Sequence, residues 1–174
     1  MDITDTLSKL FGIGVIGSQI FIVFGVVFYF LKRKNSAIYK FLSENGILFS
    51  FLAALAATFG SLFYSNVAGF PPCEMCWFQR IFLYPEVLIF GLALIKKDKN
   101  ITDYGLSLAF AGWLISIYHN YIYYQGSSSI VCKIGESCII PYVTEFGYVT
   151  IPMMAFTVFS LILTFLIFSR QKKN

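Results

Sequence analysis

The chain has 174 residues, 57% hydrophobic and 13% charged, whereas soluble domains run at roughly 45 to 50% apolar and about 25% charged. That balance excludes a water-soluble globular protein and points to the membrane. The net charge of +4 sits in short clusters between apolar runs and forms no basic patch for nucleic acid.

Five apolar runs, at 11–31, 46–67, 79–95, 104–122 and 146–168, each approach the ~20 residues a helix needs to cross ~30 Å of hydrocarbon. They lack the alternation of barrel strands. In the first run, Asp2 and Asp5 precede the apolar stretch and Lys32-Arg33-Lys34 follows it, the reverse of a secretory signal, so it reads as a retained helix. Its Gly14, Ser18 and Gly25 form a small-residue stripe suited to close helix packing, either within the bundle, the reading preferred, or between copies of the chain. The third run is the shortest and carries Arg80 and Glu86. Pro85 in that run is expected to free the Ile81 carbonyl and bend the helix.

The basic residues orient these segments. Lys32, Arg33, Lys34, Lys40, Lys96, Lys97, Lys99, Arg170, Lys172 and Lys173 fall on one side, ten of the 13 Lys and Arg. The positive-inside rule then places the amino terminus outside and the carboxyl terminus in the cytoplasm. No linker or repeat divides the chain, so residues 1–174 read as a single all-α membrane domain with five spans and no substantial soluble part. The Asn100-Ile101-Thr102 sequon falls on the cytoplasmic side and is read as chance.

Two outer loops, 68–78 and 123–145, hold all four cysteines: Cys73 and Cys76 in the first, Cys132 and Cys138 in the second. Outside the cytoplasm, disulfides form and persist. Four cysteines allow three connectivities, and proximity favours Cys73 with Cys76 and Cys132 with Cys138. A Cys-x-x-Cys bridge closes too small a loop to constrain much of the unfolded chain, so its spacing suits thiol exchange better than stapling.

Pro71 and Pro72 restrict the backbone ahead of Cys73, and a helix can begin there. A helix amino terminus favours anions and stabilises a thiolate. Cys76 and Arg80 are four residues apart and would share one helix face. Arg80 either snorkels to the headgroups or supports a thiolate or the carbonyl oxygen of an electron acceptor. His119 falls at a similar depth on the fourth run, where it is either a buried hydrogen-bonding residue or a proton donor. Glu86 lies deeper, where a charge is costly, and a proton relay is a possible use. Trp77, Phe78, Phe82, Tyr84, Tyr118, Tyr121, Tyr123 and Tyr124 form an aromatic belt at the outer interface, part of which can line a pocket for a flat apolar ring. Ile139, Ile140, Tyr142 and Val143 are expected to rest on the membrane surface and keep Cys138 near Cys73.

These residues resemble the DsbB/BdbC-type disulfide bond formation proteins. The resemblance rests on Pro-Cys-Glu-Met-Cys-Trp-Phe-Gln-Arg-Ile-Phe-Leu-Tyr-Pro at 72–85, on Tyr118-His119, on the second pair Cys132 and Cys138, and on Thr150-Ile151-Pro152 at the last helix. It spans about 46–168 and implies a four-helix transmembrane core, to which 11–31 adds a further helix. It also implies a prokaryotic cytoplasmic membrane enzyme that passes electrons from an extracytoplasmic thioredoxin-fold thiol oxidase to a quinone, either ubiquinone or menaquinone. Carried over by position, Cys73 and Cys76 would be the pair reoxidised by quinone. Cys76 would lie nearest the ring, Arg80 beside the quinone oxygen and His119 within the cofactor site. Cys132 would meet the partner, and Cys138 would connect to the Cys-x-x-Cys pair. No metal is implied. The extra helix and the short spacing between Cys132 and Cys138 depart from the family's longer-loop members. Three alternatives compete. A vitamin K epoxide reductase-like enzyme would carry its loop pair before the Cys-x-x-Cys, the reverse of the order here; a non-enzymatic membrane protein would use four thiolates for zinc; and a membrane scaffold would use the cysteines as structural bridges.

Overall fold

A computed structural model of the chain describes residues 3–30, 37–98, 100–126, 138 and 140–170. Among these, helices α1 (Ile3–Phe30), α2 (Ala37–Leu62), α3 (Glu74–Lys96), α4 (Ile101–Gln125) and α5 (Ile151–Arg170) form a bundle. They run from 20 to 28 residues, matching the five expected spans. Stretches in α1, α2, α3 and α5 are long and apolar enough to cross a membrane. With 25 residues, α4 is also long enough, but Ser107, Ser116, His119 and Asn120 make it more polar.

The helices extend beyond the apolar runs because a helix continues through the interface after its hydrocarbon-facing residues end. Thus α2 begins at Ala37, nine positions before the run at 46, and its first turns carry Lys40 and Glu44. Pro85 lies inside α3 without ending it. The last run, read from 146, opens instead as a hairpin. Strands β1 (Thr144–Glu145) and β2 (Val149–Thr150) pair antiparallel, with Thr144 opposite Thr150 and Glu145 opposite Val149. Gly147, at φ 79°, supplies the left-handed turn that a bulky residue would resist. Helix α5 then starts with Pro152 in its first turn, where a missing N–H costs little.

Helix α5 is the hub, packed on α2, α4 and α1, while α3 bridges α2 and α4. Close contact depends on missing side chains, as in membrane bundles generally. A Cβ added at Gly46 would lie 2.6 Å from the Phe165 carbonyl oxygen, and one at Gly112 would lie 2.3 Å from Phe159 Cε1. Ala54, Leu83, Phe90, Ala109, Phe159, Ile162 and Leu166 fill the centre. Leu88, Leu92 and Ile95 of α3 point outward, Ile95 with 80% of its surface exposed, as residues facing lipid would. Trp77, Phe78, Tyr118, Tyr121 and Tyr124 are exposed at the outer end, the belt read from the sequence.

Two expectations change. The outer segment does not simply lie on the membrane surface: Val143 is buried, and the Tyr142 ring stacks on Phe70 at 5.0 Å. Ile140 stays exposed, and Ile139 lies outside the described residues. Apolar loop side chains can satisfy themselves against protein as well as lipid, and here the bundle's outer end offers aromatic faces. The small-residue stripe of α1 is also divided. Gly25 packs on α5, where an added Cβ would lie 3.3 Å from Thr164 Cγ2, but a Cβ at Gly14 would meet nothing within 4 Å.

Candidate redox site

The site is built where α3 starts. Pro71 and Pro72 deliver an extended backbone, and Cys73 (φ −72°, ψ 168°) is the N-cap of α3. Its sulfur accepts a hydrogen bond from the Cys76 N–H at 3.2 Å, the place usually taken by a Ser, Thr, Asp or Asn oxygen. The Cys-x-x-Cys spacing is therefore also a helix cap, and it holds both sulfurs against the positive end of the helix. The Cys73 thiol is pushed up, first by its hydrogen bond with the Cys76 sulfur and then by burial.

Cys73, Met75, Ile122 and Cys138 form a buried cluster against which Cys76 packs. Cys73 and Cys76 are free thiols, whereas Cys138 is disulfide-bonded. The site thus holds two free thiols beside a disulfide-bonded cysteine from the second loop. Cys132 lies outside the described residues.

His119 faces Cys73. Its Nε2 is 3.7 Å from Cys73 Sγ, and the backbone of Cys138 also bonds to the ring. The polar chain behind it sets its tautomer. The Ser116 hydroxyl donates to the Gly112 carbonyl at 2.8 Å, so it accepts from the Gln79 amide at 3.2 Å. The same NH2 group reaches His119 Nδ1 at 3.3 Å, and with the imidazole proton on Nε2 the ring N–H faces both the Cys138 backbone and the Cys73 sulfur. His119 therefore joins the two cysteine loops.

Arg80 stands on the other side of Cys76, one turn along α3. Its Nε donates to Ser61 Oγ at 2.8 Å and a terminal nitrogen donates to the Ser61 carbonyl at 3.0 Å. Its guanidinium carbon lies 5.2 Å from the centre of the Trp77 ring, within cation–π range. These contacts fix the planar head while leaving other N–H donors for a ligand oxygen. Glu86 does not join the cluster. It is fully buried, and neither carboxyl oxygen has a hydrogen-bond partner among the described residues.

Cys73, Cys76, Gln79, Arg80, His119 and Cys138 line one cavity of about 400 Å³, within the range of small-molecule sites. Sequence reading missed Ser61, Gln79 and Tyr64. Ser61 is an ordinary serine in an apolar run until α3 is laid against it. Tyr64 is placed by a π-helical turn, Phe63–Val67, closed by the Ala68 N–H on the Phe63 carbonyl at 3.0 Å. Such turns recur at functional sites, but no residue pattern here announces one.

The family model described as disulfide bond formation protein DsbB matches residues 43–169. The chain belongs to the DsbB family. Within it, this DsbB-family chain is 40% identical over 137 residues to disulfide bond formation protein C of Bacillus subtilis, covering 75% of this chain and 99% of that one. It is 42% identical over 123 residues to a probable disulfide formation protein of Oceanobacillus iheyensis, covering 69% and 85%. It is also 42% identical over 116 residues to the SPbeta prophage-derived disulfide bond formation protein B of Bacillus subtilis, covering 66% and 78%. No solved structure matches significantly. Membership assigns a multi-pass membrane oxidoreductase with a role in disulfide bond formation.

The four-thiolate zinc reading fails at Cys138, whose disulfide sulfur is not a thiolate ligand. A smaller set remains, since the ligand atoms of Cys73, Cys76 and His119 lie within 4.8 Å of one another. For an exchange dithiol, a bound metal would block attack at sulfur. Treatment with EDTA is therefore expected to leave turnover unchanged within error, and loss of activity restored by zinc would reverse this reading.

Proposed function

We propose that this chain reoxidises an extracytoplasmic thioredoxin-fold thiol oxidase and passes the electrons through two cysteine pairs to a membrane quinone. Residues 46–168 supply the four-helix core and 11–31 an added helix, in a prokaryotic cytoplasmic membrane with both cysteine loops outside and the carboxyl terminus in the cytoplasm. The observation that carries the reading is a helix-capping dithiol and an anchored arginine on one cavity of a membrane bundle.

The chemistry balances without a further oxidant. The partner's dithiol reduces the loop disulfide, with Cys132 taking the mixed disulfide. With Cys73 and Cys76 first oxidised to a disulfide by the quinone, the freed Cys138 thiolate then attacks Cys73, forming a Cys138–Cys73 bond, breaking the Cys73–Cys76 bond and releasing Cys76 as the thiolate. The partner's second thiol displaces Cys132, so the partner leaves as its disulfide, and the Cys132 thiolate attacks Cys138, which closes the loop pair and leaves Cys73 and Cys76 as a dithiol. A bound quinone takes two electrons and two protons, the amount released when that dithiol becomes a disulfide. Each exchange step is thiolate attack at sulfur. His119 Nε2–H supports negative charge on Cys73 during exchange, and Arg80 beside Cys76 serves the acceptor's oxygen.

Arg80→Ala is expected to raise the KM for quinone about tenfold or more, the usual loss for a hydrogen bond to a charged group, while the KM for the soluble oxidase stays the same. Arg80→Lys should recover part of the loss, because a point charge replaces the planar fork. An unchanged quinone KM in Arg80→Ala would sink the assignment.

A further inference from the structure

We infer that α1, which precedes the residues matched by the family model, completes the acceptor site by holding the isoprenoid tail of the quinone in a trough between α1 and α2. This deepens the quinone reading and rests on it. The cavity that begins at Cys76 and Arg80 continues past Ser61 to Gly14 and Ser18 of α1 and to Ala53, Ala57 and Gly60 of α2.

The trough exists because both facing helices carry small residues at one-turn spacing. Gly14 and Ser18 are four apart, as are Ala53 and Ala57, so each pair lies on one face. The Ser18 hydroxyl is turned back on the Gly14 carbonyl at 2.8 Å, so it presents little polarity. Aromatic rings bound the trough at both ends. Outside, Phe11 lies 6.2 Å from Phe63 and 5.9 Å from Tyr64, with Tyr64 bonded to Ser8 at 3.3 Å. Deeper in the bundle, Phe165 lies 5.4 Å from Phe21 and 5.3 Å from Phe49. Between these bars α1 and α2 stand apart, and Gly14 is exposed with open space before it.

The cavity's chemistry selects the occupant. One side offers the Arg80 guanidinium and Cys76; the opposite side is apolar and opens at Gly14, near the exposed side chains Leu10 and Ile13. A flat ring with carbonyl oxygens and a branched hydrocarbon tail fits that sequence of surfaces, with its ring reaching the dithiol while the tail leaves sideways. Without α1 the tail would lie in bulk lipid.

The test uses the full chain in detergent with a reduced thioredoxin-fold oxidase and two acceptors that share one quinone ring, one bearing an isoprenoid tail and one a methyl group in its place. Gly14→Phe adds bulk at a cavity-lining position where a Cβ would meet nothing within 4 Å, and Gly17→Phe, equally open at its Cβ but off the cavity, controls for bulk. The expected result is a KM for the tailed quinone raised about tenfold or more in Gly14→Phe, an unchanged KM for the tail-less one, and neither shift in Gly17→Phe. Equal shifts for both acceptors, or no shift for either, overturn the inference while leaving quinone reduction intact. Failure of the native chain to reduce either quinone removes the underlying reading, and this one with it.

Discussion

Cys73→Ser will fold as the native chain does and will not turn over. Serine is among the preferred N-cap residues, so its hydroxyl can take over the bond that Cys73 Sγ accepts from the Cys76 N–H at 3.2 Å. The helix start and the Pro71-Pro72 entry are preserved. What is lost is the sulfur that Cys138 would attack and that would pair with Cys76, and no oxygen can form that bond. Oxidation of the soluble partner should fall to the uncatalysed rate, measured by alkylating its remaining thiols, while the thermal midpoint in detergent shifts by less than the error. Retained turnover would remove Cys73 from the relay. Loss of the midpoint as well would mean that the sulfur is structural.

The second large effect is mechanical. Gly112→Leu places a branched side chain where even a Cβ would lie 2.3 Å from Phe159 Cε1 and 2.4 Å from Cζ. Phe159 is 1% exposed and sits in the central cluster, so its ring has nowhere to turn. Helices α4 and α5 must separate, which also moves Ser116 and His119 of α4 relative to Gln79 of α3. Overpacking of this kind costs about 3 kcal/mol at the upper end of the usual range. A lower midpoint and reduced yield of monodisperse protein are expected. Gly14→Leu, at a position where an added Cβ would meet nothing within 4 Å, should leave the midpoint near native. Equal midpoints for all three chains would contradict the packing described here.

Much of this was legible before the fold was known, and particular residues show why. The five spans follow from apolar runs because hydrocarbon demands length and apolarity and little else. Cys73, Cys76 and Arg80 were legible together because their spacing fixes depth and face on one helix, His119 because it falls at a similar depth on the fourth run, and motif resemblance implied their roles. Rotation between helices was not legible. That His119 turns toward Cys73, with Gln79 and Ser116 behind it, depends on how α3 and α4 are rotated about their axes, which one sequence does not encode locally. Ser61 became visible as the Arg80 anchor through the same kind of contact. Tyr142 and Val143 read as membrane-surface residues because apolarity does not say whether lipid or protein will cover it. Gly14 and Ser18 read as packing residues because a small side chain marks a close approach and an empty trough equally well.

The most direct test of the relay follows quinone absorbance when the purified chain is mixed with a reduced thioredoxin-fold oxidase and a soluble quinone. The account predicts one quinone reduced for each partner dithiol oxidised by the native chain, and no quinone loss above background for Cys76→Ser or Cys132→Ser. Partner oxidation by the native chain without quinone loss, or quinone loss that survives either substitution, would contradict it.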